Sequence, residues 1–159
     1  MPDPASLTEL GLAGLFVAAF LAGSIVPFSS EVVLVGVLAL GSPAAPTVVV
    51  ATLGNVLGAL TLYGMGRLVT IRRPGQRTLT DRLLTRLAQE DPARLERARA
   101  RLEKWGPVAL LAAWVPVVGD ALVLTAGLLA LPLAPVTLYT TVGKAARYAV
   151  LAAGVVAAT

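Results

Sequence analysis

Apolar residues fill long stretches of the chain, and the polar breaks between them predict its elements. Leu10 to Val26 is apolar throughout and stops at Pro27-Phe28-Ser29-Ser30, after which a short arm, Glu31 to Gly41, leads to a Pro-bounded turn at Ser42 to Pro46. At ~1.5 Å per residue that arm reaches only about 17 Å, against about 30 Å for a bilayer core, so it cannot cross alone. Thr47 to Leu68 is long enough to span. After a polar interval the plan recurs: a first arm from Pro107 to Val115, a break at Pro116 to Gly119, and a second arm from Asp120 to Leu131. A turn at Pro132 to Pro135 and a span from Val136 to about Ala157 complete it.

The recurrence is an internal repeat. A gapless shift of 89 residues superimposes Pro27 on Pro116, Pro43 on Pro132, Pro46 on Pro135, Thr52 on Thr141 and Gly54 on Gly143, and places Asp120 on Glu31. Each unit is therefore expected to be a re-entrant helical hairpin followed by one transmembrane helix. Backbone broken at mid-membrane depth is tolerated only where protein or a wet cavity covers it. One hairpin plus one span crosses the bilayer once, so the second copy starts on the other side and the repeat is inverted. The alternative is four ordinary spans with Pro27 and Pro116 as kinks and the two copies parallel. The expected class is thus an all-α integral membrane protein. It forms a single domain over residues 1–159, with repeat 1 at about 10–68, a linker at about 69–104 and repeat 2 at about 105–157.

Composition agrees. Of 159 residues, 57% are hydrophobic, and the mean hydropathy is +0.81, above the roughly 45 to 50% apolar content of a soluble domain. Eleven of the thirteen Lys and Arg lie between Arg67 and Lys104. A basic segment between apolar spans marks a cytoplasmic face, and the short tails without Lys or Arg are then outside. The charge distribution gives no reason to invoke nucleic acid. Within the linker, Thr80 caps one expected helix, and Asp91-Pro92 starts a second that runs to Lys104. In the second, Leu95, Ala98, Leu102 and Trp105 share a side, which suits a cationic helix lying on anionic headgroups. The first nine residues carry no basic group, so a cleavable signal peptide is not expected. With no Cys and no His, neither a metal site, a cofactor nor an enzymatic nucleophile and base stands out.

The candidate chemistry sits in four ionisable groups deep in apolar sequence: Glu31, Asp120, Lys144 and Arg147. Such groups are costly in a membrane and mark function or structural ion pairs. Glu31 and Asp120 are the candidate proton-binding or gating acids. Lys144 and Arg147, three apart on one helical face, are the candidate anion or charge-partner residues. Pro27, Ser29, Ser30, Asn55, Pro116 and Gly119 would line the cavity or form the hairpin breaks. Returning helices that begin at Ser29, Ser30 or Gly119 would aim free N–H groups at the centre. Gly54 and Gly58, four apart, permit close helix contact, within the chain or across a dimer.

Four motifs carry a family resemblance. Pro27-Phe-Ser-Ser-Glu-Val-Val-Leu-Val, Thr52-Leu-Gly-Asn-Val-Leu-Gly-Ala-Leu-Thr, Trp114-Val-Pro-Val-Val-Gly-Asp-Ala-Leu and Gly143-Lys-Ala-Ala-Arg-Tyr resemble the YqaA branch of the DedA superfamily, also called the VTT or SNARE-associated domain. The resemblance runs from about Leu15 to Ala153. It implies a multi-pass protein of the bacterial inner membrane with two opposed re-entrant hairpins. It also implies a superfamily tied to proton-linked transport, envelope homeostasis and movement of lipids such as undecaprenyl phosphate, with Glu31 as the acid of the first hairpin. The second hairpin departs from the pattern, because Ala113, Trp114, Gly119 and Asp120 stand where many relatives carry arginine. The expectation is a transporter or lipid flippase whose partners are membrane lipids, a phospholipid or polyprenyl phosphate among them, with the proton as coupling ion and a homodimer as plausible assembly. The alternative is a non-transporting scaffold whose buried charges are structural.

Overall fold

The structure, a computed structural model, describes residues 4–24, 29–71 and 91–158; every regular element among them is helical. In order these are α1 (Pro4–Gly23), α2 (Ser30–Ala39), α3 (Ala44–Ile71), α4 (Pro92–Trp105), a 3-10 helix (Gly106–Trp114), α5 (Val118–Leu128) and α6 (Leu133–Ala158). Pro27 and the expected linker helix capped by Thr80 lie outside the described residues. α3, with 28 residues, and α6, with 26, are each long and apolar enough to cross a bilayer. At 1.5 Å per residue they reach about 42 and 39 Å.

The single domain expected from the sequence resolves into two compact units, Met1–Gly58 with Lys144–Thr159, and Ala59–Gly143. Each unit holds one hairpin and one half of each long helix, because each hairpin gathers its own core.

In the first unit α2 packs on α1, and Gly11 faces Val37. Leu15 and Ala19 of α1, Leu34, Val37 and Leu38 of α2, Ala51 of α3, and Tyr148 and Ala152 of α6 form the core. Lipid is as apolar as leucine, so helices in a membrane associate by close packing and polar contacts rather than by escape from water. α3 supplies that closeness. A Cβ built on Gly54 would stand 2.5 Å from the Phe16 carbonyl oxygen, and one on Gly58 would stand 2.1 Å from that of Phe20. The four-residue glycine spacing is used within the chain.

The second unit packs Tyr63 and Ala59 of α3 with Ala98 and Leu102 of α4, Leu110 of the 3-10 helix, the run Ala121 to Val123 of α5, and Val136 of α6. Here the sequence expectation needs correction. The stripe of α4 that was to lie on headgroups is turned into the protein: Ala98 and Leu102 are buried, and Leu95 packs against the same core. The first arm of the second hairpin is also not an α-helix. Pro107 and the positive φ of Gly106 interrupt α4, and nine residues of 3-10 helix follow, longer than the three or four usual for that form. Shifted by 89, α1 corresponds to residues 93–112, so α4 and the 3-10 helix together take its place. The two hairpins are unequal: α1 has 20 residues, enough for about 30 Å, whereas α2 with 10 and α5 with 11 reach only about 15 to 17 Å.

The repeat is written in the backbone beyond the arms. In the first copy Gly41 N–H donates to Leu38 O, Ser42 N–H to Val37 O, and Thr47 N–H to Pro43 O. In the second Ala130 N–H donates to Gly127 O, Leu131 N–H to Ala126 O, and Val136 N–H to Pro132 O, the same bonds 89 residues on. The first two of each set make a Schellman motif, which requires a left-handed residue after the helix. Gly41 (φ 88°) fills that place in one copy and Ala130 (φ 56°) in the other. Thr52 and Thr141 likewise both donate to the carbonyl four residues back.

Two stability predictions follow from this packing, both read as thermal unfolding in detergent. Gly58→Ala is expected to cost on the order of 3 kcal/mol, because a backbone carbonyl must move, whereas Gly36→Ala, with open space around it, gains up to about 1 kcal/mol of helix propensity. Gly41→Ala is expected to cost about 1 kcal/mol through its left-handed φ alone, while Ala130→Gly at the matching site is neutral or stabilising.

Candidate functional site

The first unit contains a polar cluster set among apolar side chains. α2 begins where the sequence places the break, with Ser29 as N-cap and Glu31 in the first turn. A carboxylate there is favoured by the partial positive charge of the helix start. Glu31 accepts a hydrogen bond from Ser29 Oγ at 2.7 Å and forms a salt bridge with Arg147 Nη2 of α6. Both side chains of that pair are mostly shielded.

Beneath it lies a deeper chain of contacts. Ser30 Oγ and the Tyr148 hydroxyl are 2.7 Å apart, and Asn55 Nδ2 donates to the same hydroxyl at 2.7 Å. Lys144 Nζ donates to Asn55 Oδ1. These groups are almost wholly enclosed: Tyr148 is 0% exposed, Ser30 1%, and Asn55 and Lys144 3% each. A charged ammonium can only donate, so it fixes the amide of Asn55 with its oxygen toward Lys144 and its nitrogen toward Tyr148. The end of α1 presses on the same residue, since a Cβ on Gly23 would stand 2.1 Å from the Asn55 carbonyl oxygen. Asn55, on α3, is therefore held by two other helices, α1 and α6.

The structure thus joins six sequence-selected residues, Ser29, Ser30, Glu31, Asn55, Lys144 and Arg147, in one unit. Asp120, Pro116 and Gly119 fall in the other. Asp120 occupies the first turn of α5, as Glu31 does of α2. Gly119 is buried where a Cβ would meet the Ala113 backbone at 2.6 Å, so it closes the second hairpin. The break there takes a different form from the one expected. Val117 has φ 66° and ψ −45°, and Val118 N–H donates to Pro116 O at 2.6 Å, a γ-turn of the rare positive-φ kind. Gly119 N–H donates to Val115 O and Ala121 N–H to Val117 O. The start of α5 does not offer these three N–H groups to an anion. They are already engaged.

Tyr148 is the residue the sequence reasoning passed over. It stands four positions after Lys144, on the same face of the helix, and an aromatic hydroxyl among buried charges was the available signal. Chemically the cluster sets one carboxylate against two cations, with a hydroxyl and amide chain able to relay a proton or to rearrange around an anion.

Comparison with known proteins identifies the family. The VTT domain profile matches residues 26–156. The Escherichia coli (strain K12) protein "Inner membrane protein YqaA" is 37% identical over 148 residues, covering 92% of each chain. An uncharacterized protein of Haemophilus influenzae is 35% identical over 146 residues, covering 86% of this chain and 82% of its own. No solved structure matches the chain. Family profile, relatives and long apolar helices agree: the chain is a membrane protein of the VTT domain family, in its YqaA/DedA branch.

Proposed function

We propose that the protein is a DedA-like transporter or lipid flippase of the bacterial inner membrane, not an enzyme. In this reading it moves an anionic lipid or small anionic solute past a polar midplane site between two inverted re-entrant hairpins, with a proton as coupling ion. The observation that carries the reading is the Glu31–Arg147 pair at the start of a helix too short to span. A protonatable acid bound to a cation is a two-state element: protonation of Glu31 releases Arg147 for an anionic headgroup, and release of the anion restores the pair. Asp120, at the matching place in the second hairpin, is the second gating acid. The short α2 and α5 support the re-entrant form, and the parity of one hairpin and one span per copy supports inversion. The basic linker is then cytoplasmic and the termini outside. A homodimer is the proposed assembly.

A second reading, a scaffold with structural charges, is favoured by one observation: Glu31 and Arg147 already satisfy each other. Charge exchange separates the two. Glu31→Arg with Arg147→Glu is expected to restore the folded yield lost in either single variant; under the transport reading proton-linked activity stays at least tenfold down, and under the scaffold reading it returns with the fold. Glu31→Gln and Asp120→Asn are expected to reduce transport or complementation at least tenfold while the protein still inserts, and full activity in both defeats the transporter. For topology, a C-terminal reporter active only outside the cytoplasm is the expected result.

A further inference from the structure

A second charged feature lies outside the polar cluster and serves no part of the proposed pathway. In the second unit a cleft of about 230 Å³ is lined by Asp91, Arg94, Arg97, Ala98, Arg101, Val118 and Ala121. Arg94, Arg97 and Arg101 are spaced three and four apart, so α4 projects all three guanidiniums on one side. The local sequence builds this face: Pro92 opens the helix and Asp91 caps it, accepting from Arg94 N–H at 3.0 Å. The same carboxylate draws in Arg94 Nε at 3.3 Å and Arg97 Nη2 at 3.8 Å. Arg97 Nε also donates to Ala93 O. Arg101 makes no ion pair or hydrogen bond among the described residues. One negative charge thus orients a wall carrying three positive ones, and Val118 and Ala121 of α5 form the floor.

We propose that this cleft binds a phosphate group. The chemistry favours a tetrahedral oxyanion over a carboxylate peptide or a cation: three guanidiniums converge on one space, Asp91 leaves a formal excess of two positive charges, and arginine forks match phosphate oxygens by bidentate donation. Val118 and Ala121 give the apolar side against which a phosphodiester rests its first carbons. The occupant is either a free phosphate or the phosphate of an anionic lipid headgroup. The proposal is independent of the transport reading, because none of its residues belongs to the Glu31 cluster.

The test uses the full chain purified in a zwitterionic detergent. Inorganic phosphate is titrated against a sodium chloride control of equal ionic strength, with thermal shift as readout. The same protein in nanodiscs of phosphatidylcholine, with and without phosphatidylglycerol, is then assayed for retained lipid by native mass spectrometry. Arg101→Gln removes a charge that makes no ion pair or hydrogen bond among the described residues, so it tests binding without breaking a described contact; it is expected to weaken phosphate binding roughly tenfold. Arg99→Gln, whose Nε pairs with Glu103 at 2.8 Å on α4 and does not line the cleft, is expected to change it little. Stabilisation by inorganic phosphate that depends on Arg101 identifies a free-phosphate site. Retention of phosphatidylglycerol that depends on Arg101, without response to inorganic phosphate, identifies a headgroup site. Equal loss in the Arg99 and Arg101 variants, or no loss in either assay with Arg101→Gln, overturns the proposal.

Discussion

An ionised side chain in an apolar setting must be given a partner, and the first unit is arranged around that requirement. Glu31 faces Arg147, and Lys144 faces the amide of Asn55. Breaking a buried pair by deleting one partner commonly costs 3 to 5 kcal/mol, because the survivor is stranded, while the intact pair adds little net stability. The pair is therefore expensive to disturb and cheap to keep. It also dictates the surrounding packing. Gly54 and Gly58 bring α3 up to α1, Gly23 brings the end of α1 onto Asn55, and only with those helices in place does Asn55 reach both Lys144 and Tyr148.

Much of this was legible in the sequence, for identifiable reasons. The Pro27 to Ser30 and Pro116 to Gly119 breaks were readable because proline ends a helix and because the following arms are too short to span; α2 and α5 begin within one or two residues of the expected places. The repeat was readable because Pro43, Pro46, Thr52 and Gly54 recur with their spacing intact, and the hydrogen bonds of Gly41 and Ala130 show that the spacing encodes a shared backbone form. The partners were not readable. Lys144 and Arg147 share a helix face, yet they turn to different helices, and nothing in one chain's pattern says that the arginine meets Glu31 while the lysine meets Asn55. Tyr148 was missed because an aromatic residue in apolar sequence reads as core until its hydroxyl is seen to bridge Ser30 and Asn55.

The helix from Asp91-Pro92 was expected and is found as α4, but the burial of its apolar stripe was missed for another reason. Periodicity marked Leu95, Ala98 and Leu102 as one apolar stripe, but a stripe does not say whether lipid or protein covers it. A basic composition suggested headgroups, whereas Ala121 and Leu122 of α5 lie in the same core as Ala98 and Leu102. The repeat does not announce it either: the 89-residue shift sets Ala98 and Leu102 against Glu9 and Ala13 of α1, which are exposed.

The divergence between copies is sharpest where they meet. A position that touches its own counterpart cannot be lysine in both copies, since two ammonium groups would then face each other in an apolar surround. Asparagine opposite lysine resolves this, because the amide oxygen accepts what the ammonium must donate. One turn on, the counterparts are Gly58 and Arg147, and the same logic holds with different chemistry. Gly58 must stay small to admit the Phe20 carbonyl, while its counterpart grew the side chain that reaches Glu31. Gly58 supplies the tight helix approach and Arg147 the charged arm that reaches Glu31, two tasks that one residue type cannot perform together.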